Sequence, residues 1–306
     1  MATIATGSKT EIAYVEETVY GVTPTTPAFQ KICYTGTSLG ITKDTLESAC
    51  LTADRQIKEV RSGNRQTGGD LSAELEYGSY DDWLEAVLLG TWTANVLKAG
   101  ITSRSFTIEK FFDLDTDEYH RFTGCIFNGW SLSVAPNAMV TSDFTVIGKD
   151  IDDQNLTSQV TGSTYTDAAN NPPFDSFTGT IQEGGTTIAI VTEIELTLDN
   201  GVEPSFVLMS KTTIEPGEGK SRLTGTLTAW FESSDLYTKF LSETSSSLKF
   251  ELTDTSGASL EFDIPNLKYT SGNPDVTGEG PVTIALAFTA IYDAVEESQI
   301  VITRTP

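Results

Sequence analysis

Histidine is nearly missing from this 306-residue chain, where His120 is the single example. A Ser-His-Asp triad or a His-rich metal centre would rest on that one residue, which argues against both. Cysteine is scarce as well. Cys33, Cys50 and Cys125 are odd in number, widely spaced and without a CxxC pair. They form neither a disulfide scaffold nor a zinc cluster, and they fit folding in a reducing cytoplasm. Bases are few: 19 Lys and Arg stand against 43 Asp and Glu, for a formal charge of −24. Grip on nucleic acid needs clustered Lys and Arg, so that class is excluded. A surface that faces DNA and repels it stays open. Long apolar runs are also lacking. The longest, Val282 to Tyr292, is broken by Thr283 and Thr289; it is too short for a bilayer and reads as a strand. The first residues show neither the basic nor the apolar region of a signal peptide. A soluble chain, intracellular when made, is expected.

What is present is a folded composition, 38% hydrophobic and 20% charged, at a length suited to two domains. Alternating runs dominate, so the main element is the β-strand. Leu71, Ala73, Leu75 and Tyr77 alternate with Ser72, Glu74 and Glu76; Ile194, Leu196 and Leu198 alternate with Glu193, Glu195, Thr197 and Asp199. Each run has one face for a core and one for water. Helical spacing follows Ser79-Tyr80-Asp81-Asp82, where Trp83/Val87 and Leu84/Leu88 make an apolar face, with Ser79 or an Asp as cap and Gly90 as stop. Ser233-Ser234-Asp235 followed by Leu236, Phe240 and Leu241 has the same plan. A shift of 152 residues places Leu71 on Leu223 and Leu84 on Leu236; a shift of 142 places Phe106 on Leu248, Phe144 on Leu286 and Val146 on Phe288. The difference is a loop insertion in the first copy, around Gly90–Ile101. These shifts predict a duplicated unit: residues 1–152, a polar linker 153–173, and residues 174–306.

Candidate chemistry is thin. Asp113, Asp115 and Asp117 resemble a calcium loop, but Glu118 and Gly124 occupy the positions that need Gly and Glu, so a hairpin turn is expected. Gly217-Glu-Gly219-Lys220-Ser221 lacks the first Gly of a phosphate loop and reads as a turn. The pairs Glu74/Glu76 and Glu193/Glu195 have no visible cleft for acid-base work. No enzyme activity, catalytic residue, metal site or cofactor is expected. The segment Cys50–Thr67 reads as a long polar loop, in which Arg55, Lys58, Arg61 and Arg65 suit contact with an acidic neighbouring subunit.

Several runs resemble a known family. Tyr14-Val-Glu16-Glu17-Thr18-Val-Tyr20-Gly21-Val-Thr-Pro24, and Asp54-Arg55 followed by Gly68-Gly69-Asp70-Leu71, are similar to major tail proteins, the tail tube subunits of long-tailed bacteriophages. Trp130-Ser-Leu-Ser-Val134 with Val140-Thr-Ser-Asp-Phe144 resembles the end of one tube domain, and Ile264-Pro265-Asn266-Leu267 with Gly278-Glu-Gly280-Pro-Val282 the end of a second. The resemblance implies two tandem β-sandwich or split-barrel domains, each with a flanking helix. It further implies a trimeric ring of six domains, stacked into a virion tube. That tube encloses a tape-measure protein, meets tail terminator and distal tail proteins, and conducts DNA without binding it. On this reading Glu74, Glu76, Glu193 and Glu195 are expected to face the lumen. The competing readings are a decoration protein or tandem adhesin, and a carbohydrate-active β-sandwich enzyme.

Overall fold

The computed structural model describes residues 4–51, 54–276 and 278–306. Among these the chain is mainly β, with twenty strands and two α-helices. Two layers organise the first half. A flanking sheet runs Ala28–Ile32, Thr10–Glu16, Phe106–Phe112 and the start of Glu118–Val134, all antiparallel. A second sheet runs Gly40–Glu47, Val60–Glu74, Thr141–Gly148 and the end of Glu118–Val134. The long strand Glu118–Val134 therefore belongs to both. It changes sheets at Gly124, whose φ of +63° suits glycine, beside a bulge opposite Phe106 and Ile108.

The second half repeats the six pairings. Gly179–Glu183, Ser246–Thr253 and Ser259–Tyr269 form its flanking sheet, with Thr186–Thr187 at one edge. Val191–Asp199, Arg222–Trp230, Thr283–Ala290 and the end of Ser259–Tyr269 form the other. The registers relate the halves closely. Ile126 opposite Ile147 and Phe127 opposite Val146 become Lys268 opposite Thr289 and Tyr269 opposite Phe288, a shift of 142 on both strands. Leu71 lies opposite Phe144, whereas Leu286 lies opposite Leu227. Leu71 thus corresponds to Leu227, four residues beyond the partner that the apolar pattern suggested. An even slip keeps every side chain on its face, so alternation cannot detect it.

The halves meet along one continuous sheet. Gly129 to Val134 pair antiparallel with Ile194 to Asp199, joining the two long-strand layers into a single sheet with Gly40–Glu47 at one end and Lys268 to Asp275 at the other. A second join lies in the flanking layer. The insertion expected near Gly90–Ile101 contains the strand Val96–Lys98, which pairs with Val301–Thr305 and so extends the second half's sheet.

Helix Asp81–Leu88 plugs the first sandwich, burying Trp83, Leu84, Ala86, Val87 and Leu88. Trp83 sits 5.1 Å from both Phe127 and Phe144 and 5.5 Å from Tyr14. Its ends differ from expectation. Tyr80 is the N-cap and no side chain caps it, because Ser79 Oγ donates to Glu76 and Tyr80 OH to Cys33 O. Leu89, not Gly90, takes the left-handed turn. Gly90 is needed for closeness instead, since a Cβ there would lie 2.2 Å from Lys98 O. The second helix, Asp235–Leu241, has no fully buried residue. The expected linker is partly structured: Thr164–Thr166 runs parallel to Ala28–Ile32 and Tyr165 stacks on Phe29 at 5.2 Å, while Phe174, just past the linker's end, is fully buried. The polar composition hid the anchor at Tyr165.

Candidate functional site

One face of the continuous sheet carries the core: Leu71, Phe144, Trp130, Leu196, Leu227 and Leu286 are all buried. The opposite face is bare, and its registers place side chains in rows across the strands. One row is Ser72, Asp143, Ser131, Thr197, Thr224, Thr289 and Lys268. The next is Glu74, Thr141, Ser133, Glu195, Thr226 and Ala287. A third is Asp70, Thr145, Gly129, Asp199 and Arg222. Short hydroxyls and methyls dominate, with carboxylates at Asp70, Glu74, Asp143, Glu193, Glu195 and Asp199 and cations at Arg222 and Lys268. Trp230, at the end of its strand, is the exposed aromatic of these strands. Such a face offers phosphates few cations and bases little to stack upon.

Glu74, Glu193 and Glu195 lie on this bare face, and Glu195 is exposed. Glu76 does not. The strand ends at Glu74, after which Leu75 and Glu76 are both buried as the chain turns toward the helix. Glu76 is only 7% exposed, accepts from Ser79 Oγ at 2.8 Å, and bridges to Pro173. Burial pushes its carboxyl above the ordinary range. The alternation that grouped it with Glu74 breaks at that turn.

The basic segment is likewise not one loop. Residues 60–67 belong to strand Val60–Glu74, which pairs with Gly40–Glu47 into a long hairpin arm; Thr52 and Ala53, within the expected loop, lie outside the described residues. Arg65 is bound within its own chain, to Asp150 at 2.5 Å and Asp153 at 3.1 Å. Lys58 pairs with Asp54, and Arg61 with Glu59 at 2.6 Å. Arg55 is exposed near the tip with a φ of 58°. Arg61, 76% exposed at its side chain, still presents charge outward. Arg65 N–H also donates to Lys211 O at 2.8 Å, so the excursion 200–221 packs along the arm's base. His120 lies within a strand, 3.2 Å from Glu118, beside the acidic hairpin turn.

The Tyr14–Pro24 run proves architectural. Glu17, buried at 7%, accepts from Gly21 N (2.6 Å), Ser105 Oγ (2.8 Å), Thr107 Oγ1 (2.8 Å) and Gly124 N (2.9 Å). It pins the corner where Glu118–Val134 changes sheets. Lys149 lies over the Tyr20 ring at 5.5 Å, and a Cβ on Gly21 would lie 2.4 Å from its Cδ. Glu183 does similar work in the second half, accepting from Lys239 Nζ (2.6 Å), Ser246 Oγ (2.6 Å) and Tyr269 OH (3.0 Å). Sequence pattern signalled neither role, because both depend on partners far along the chain.

The two-layer fold with a bare, acidic sheet face is matched by sequence. A family model for the phage tail tube protein covers residues 7–290, nearly the whole chain. The chain belongs to the phage tail tube protein family, a structural component of the virion that self-assembles into a tube. No curated protein sequence gives a significant match. Among the described residues no helix is long and apolar enough to cross a membrane.

Proposed function

We propose that each half of the chain is one tube domain, residues 1–152 and 174–306. Three copies then close a ring of six domains, and rings stack into the conduit for genome ejection. The observation that carries this is the seam: two halves with the same six pairings already join into one sheet through Gly129–Val134 and Ile194–Asp199. That sheet ends in strands with no further partner in it among the described residues, and a second copy can continue it.

The bare face turns to the lumen for a geometric reason. The opposite face carries flanking sheets and helices, and in a closed ring the extra layer needs the larger circumference. Glu74, Glu193 and Glu195, with Asp70, Asp143 and Asp199, then give the wall the same sign as DNA. Screening over about 8 Å at physiological salt confines this to polymer near the wall, where it prevents adhesion. The arm, with Arg55 and Arg61 at its exposed part, reaches toward the adjacent ring. Its contacts are exposed pairs worth about 0–1 kcal/mol each, which matter by repetition. The tape-measure protein fills the lumen before ejection, and terminator and distal tail proteins close the ends.

Electron microscopy of the assembled protein tests the reading. Rings of three copies, with the bare face inward, are expected; rings of six copies, or Glu195 on the outer surface, would overturn it. Replacing Glu74, Glu193 and Glu195 with Lys should leave tubes intact and slow ejection from whole tails.

A further inference from the structure

The seam within the chain also serves as a template for the contact between copies, an inference that rests on the proposed ring of three. In the seam, Asn200 N–H donates to Asn128 O at 2.8 Å. Counting by twos from that bond, Leu196 and Leu132 form a pair that exchanges both backbone hydrogen bonds. The registers carry these positions to the two free ends. Ile194 lies opposite Leu227 and Thr37 opposite Leu71, so Leu196 corresponds to Leu39. Leu132 lies opposite Ser142 and Pro274 opposite Ile284, so Leu132 corresponds to Pro274.

Both free ends are set for such a pairing. Ser38 N–H donates inward to Asp70 O at 3.0 Å, so the backbone groups of Leu39 point away from Val60–Glu74. Side chains meet them instead: Leu39 N–H donates to Thr37 Oγ1 at 3.0 Å, and Lys110 Nζ donates to Leu39 O at 2.8 Å. At the other end, Thr270 and Ser271 N–H both reach Ala287 O, at 2.8 and 3.4 Å, which is a bulge. Beyond it the alternation turns the Pro274 backbone outward. Proline has no N–H and is tolerated in a sheet where that side faces an edge. At a Leu39–Pro274 pair one of the two expected bonds is therefore missing, namely the one to Leu39 O. That is the oxygen Lys110 holds. In the second half the register counterpart of Lys110 is Phe250, and there Leu196 O faces an ordinary N–H.

We propose that residues 271–275 of one copy pair antiparallel with residues 38–42 of the next, Leu39 opposite Pro274 and Ser38 opposite Asp275, with Lys110 supplying the donor that proline lacks. Leu39 N–H exchanges the Thr37 hydroxyl for the Pro274 carbonyl on assembly, while Lys110 stays in place. The proline also discourages any other strand from adding at that end.

Ser38 and Asp275 form a non-hydrogen-bonded pair on the bare face, the close spacing that suits a disulfide. In full-length chain with Cys33 and Cys50 changed to Ser, Ser38→Cys with Asp275→Cys should link copies on a non-reducing gel after assembly. Ser38→Cys with Asn273→Cys, two residues out of register, should link at least several-fold less. Separately, Lys110→Met should raise the concentration needed for assembly by about tenfold, through the unsatisfied Leu39 oxygen. Adding Pro274→Ala should restore it, because alanine brings back an N–H. Circular dichroism of the unassembled variants should match the parent. If tubes form but the out-of-register pair links as well as the other, the register is overturned and the ring stands. If Pro274→Ala fails to rescue, the role of Lys110 is overturned. If the unaltered chain forms no rings, the ring reading falls and this proposal with it.

Discussion

The two helices occupy equivalent places in the two halves and live in different surroundings. Helix Asp81–Leu88 buries five side chains and is held from outside by the second half: Asn200 Nδ2 donates to Val87 O at 2.7 Å, Arg304 pairs with Asp81, and the Arg304 guanidinium lies 4.5 Å from the Trp92 ring centre. Helix Asp235–Leu241 leaves Leu236, Tyr237 and Phe240 half-buried and Leu241 61% exposed. The first sits at a seam already made inside the chain. The second sits at the end that a neighbouring copy would cover. Burial in this chain thus follows position relative to a seam more than it follows helix sequence.

Hollowing out both helices puts that contrast to its hardest test. Trp83→Ala should cost the unassembled chain about 4 kcal/mol, as large aromatic deletions in a packed core do. Phe240→Ala should cost about 1–2 kcal/mol there, because its side chain is only partly covered. Urea unfolding measures both, and equal losses would erase the distinction. Next in size are the two corner carboxylates. Glu17→Ala strands two hydroxyl and two backbone donors in a buried corner and should cost about 3 kcal/mol. Glu183→Ala should cost less, about 2 kcal/mol, because the freed Lys239 is partly exposed and can turn to water. The second join, through Val301–Thr305, is probed by Arg304→Ala. Its pair with Asp81 is partly exposed, so the loss should be about 1 kcal/mol. Calorimetry should show the single transition broadening as the halves loosen.

The smallest effect belongs to Glu76. Burial raises its folded-state value, so the folded chain holds that proton more tightly than the unfolded chain does. The resulting stabilisation is fully present below the unfolded value of about 4.3 and is lost as pH rises through the raised one. Glu76→Gln should flatten the decline in stability that sets in as pH rises above the unfolded value, and should raise Tm at neutral pH.

Much of this was legible in the pattern: alternation gave the β class and put Glu74, Glu193 and Glu195 on the face away from the core, four-residue spacing gave both helices, and the acidic run Asp113–Asp117 gave a hairpin turn. What escaped has physical causes. A two-residue period cannot report an even register slip, so the counterpart of Leu71 was misplaced by four. Charge and polarity suggested a loop at residues 60–67, which form the first part of the strand Val60–Glu74, because an arm wet on both faces has no apolar alternation to betray it. Glu76 was grouped with Glu74 since a turn beginning at Leu75 leaves no mark on the pattern. Glu17, Lys110 and Glu183 act through partners that only the fold brings near.

The strand Val96–Lys98 also bears on the order of folding. Its partner, Val301–Thr305, lies about two hundred residues later in the chain. Contacts so distant in sequence must wait for a large loop to close and form slowly. The pairing between Gly129–Val134 and Ile194–Asp199 spans far less chain and can form sooner. A newly made molecule thus holds its continuous sheet before its outer clasp has shut. Two phases are expected in refolding, and deleting residues 301–306 should abolish the slower one while leaving the faster intact.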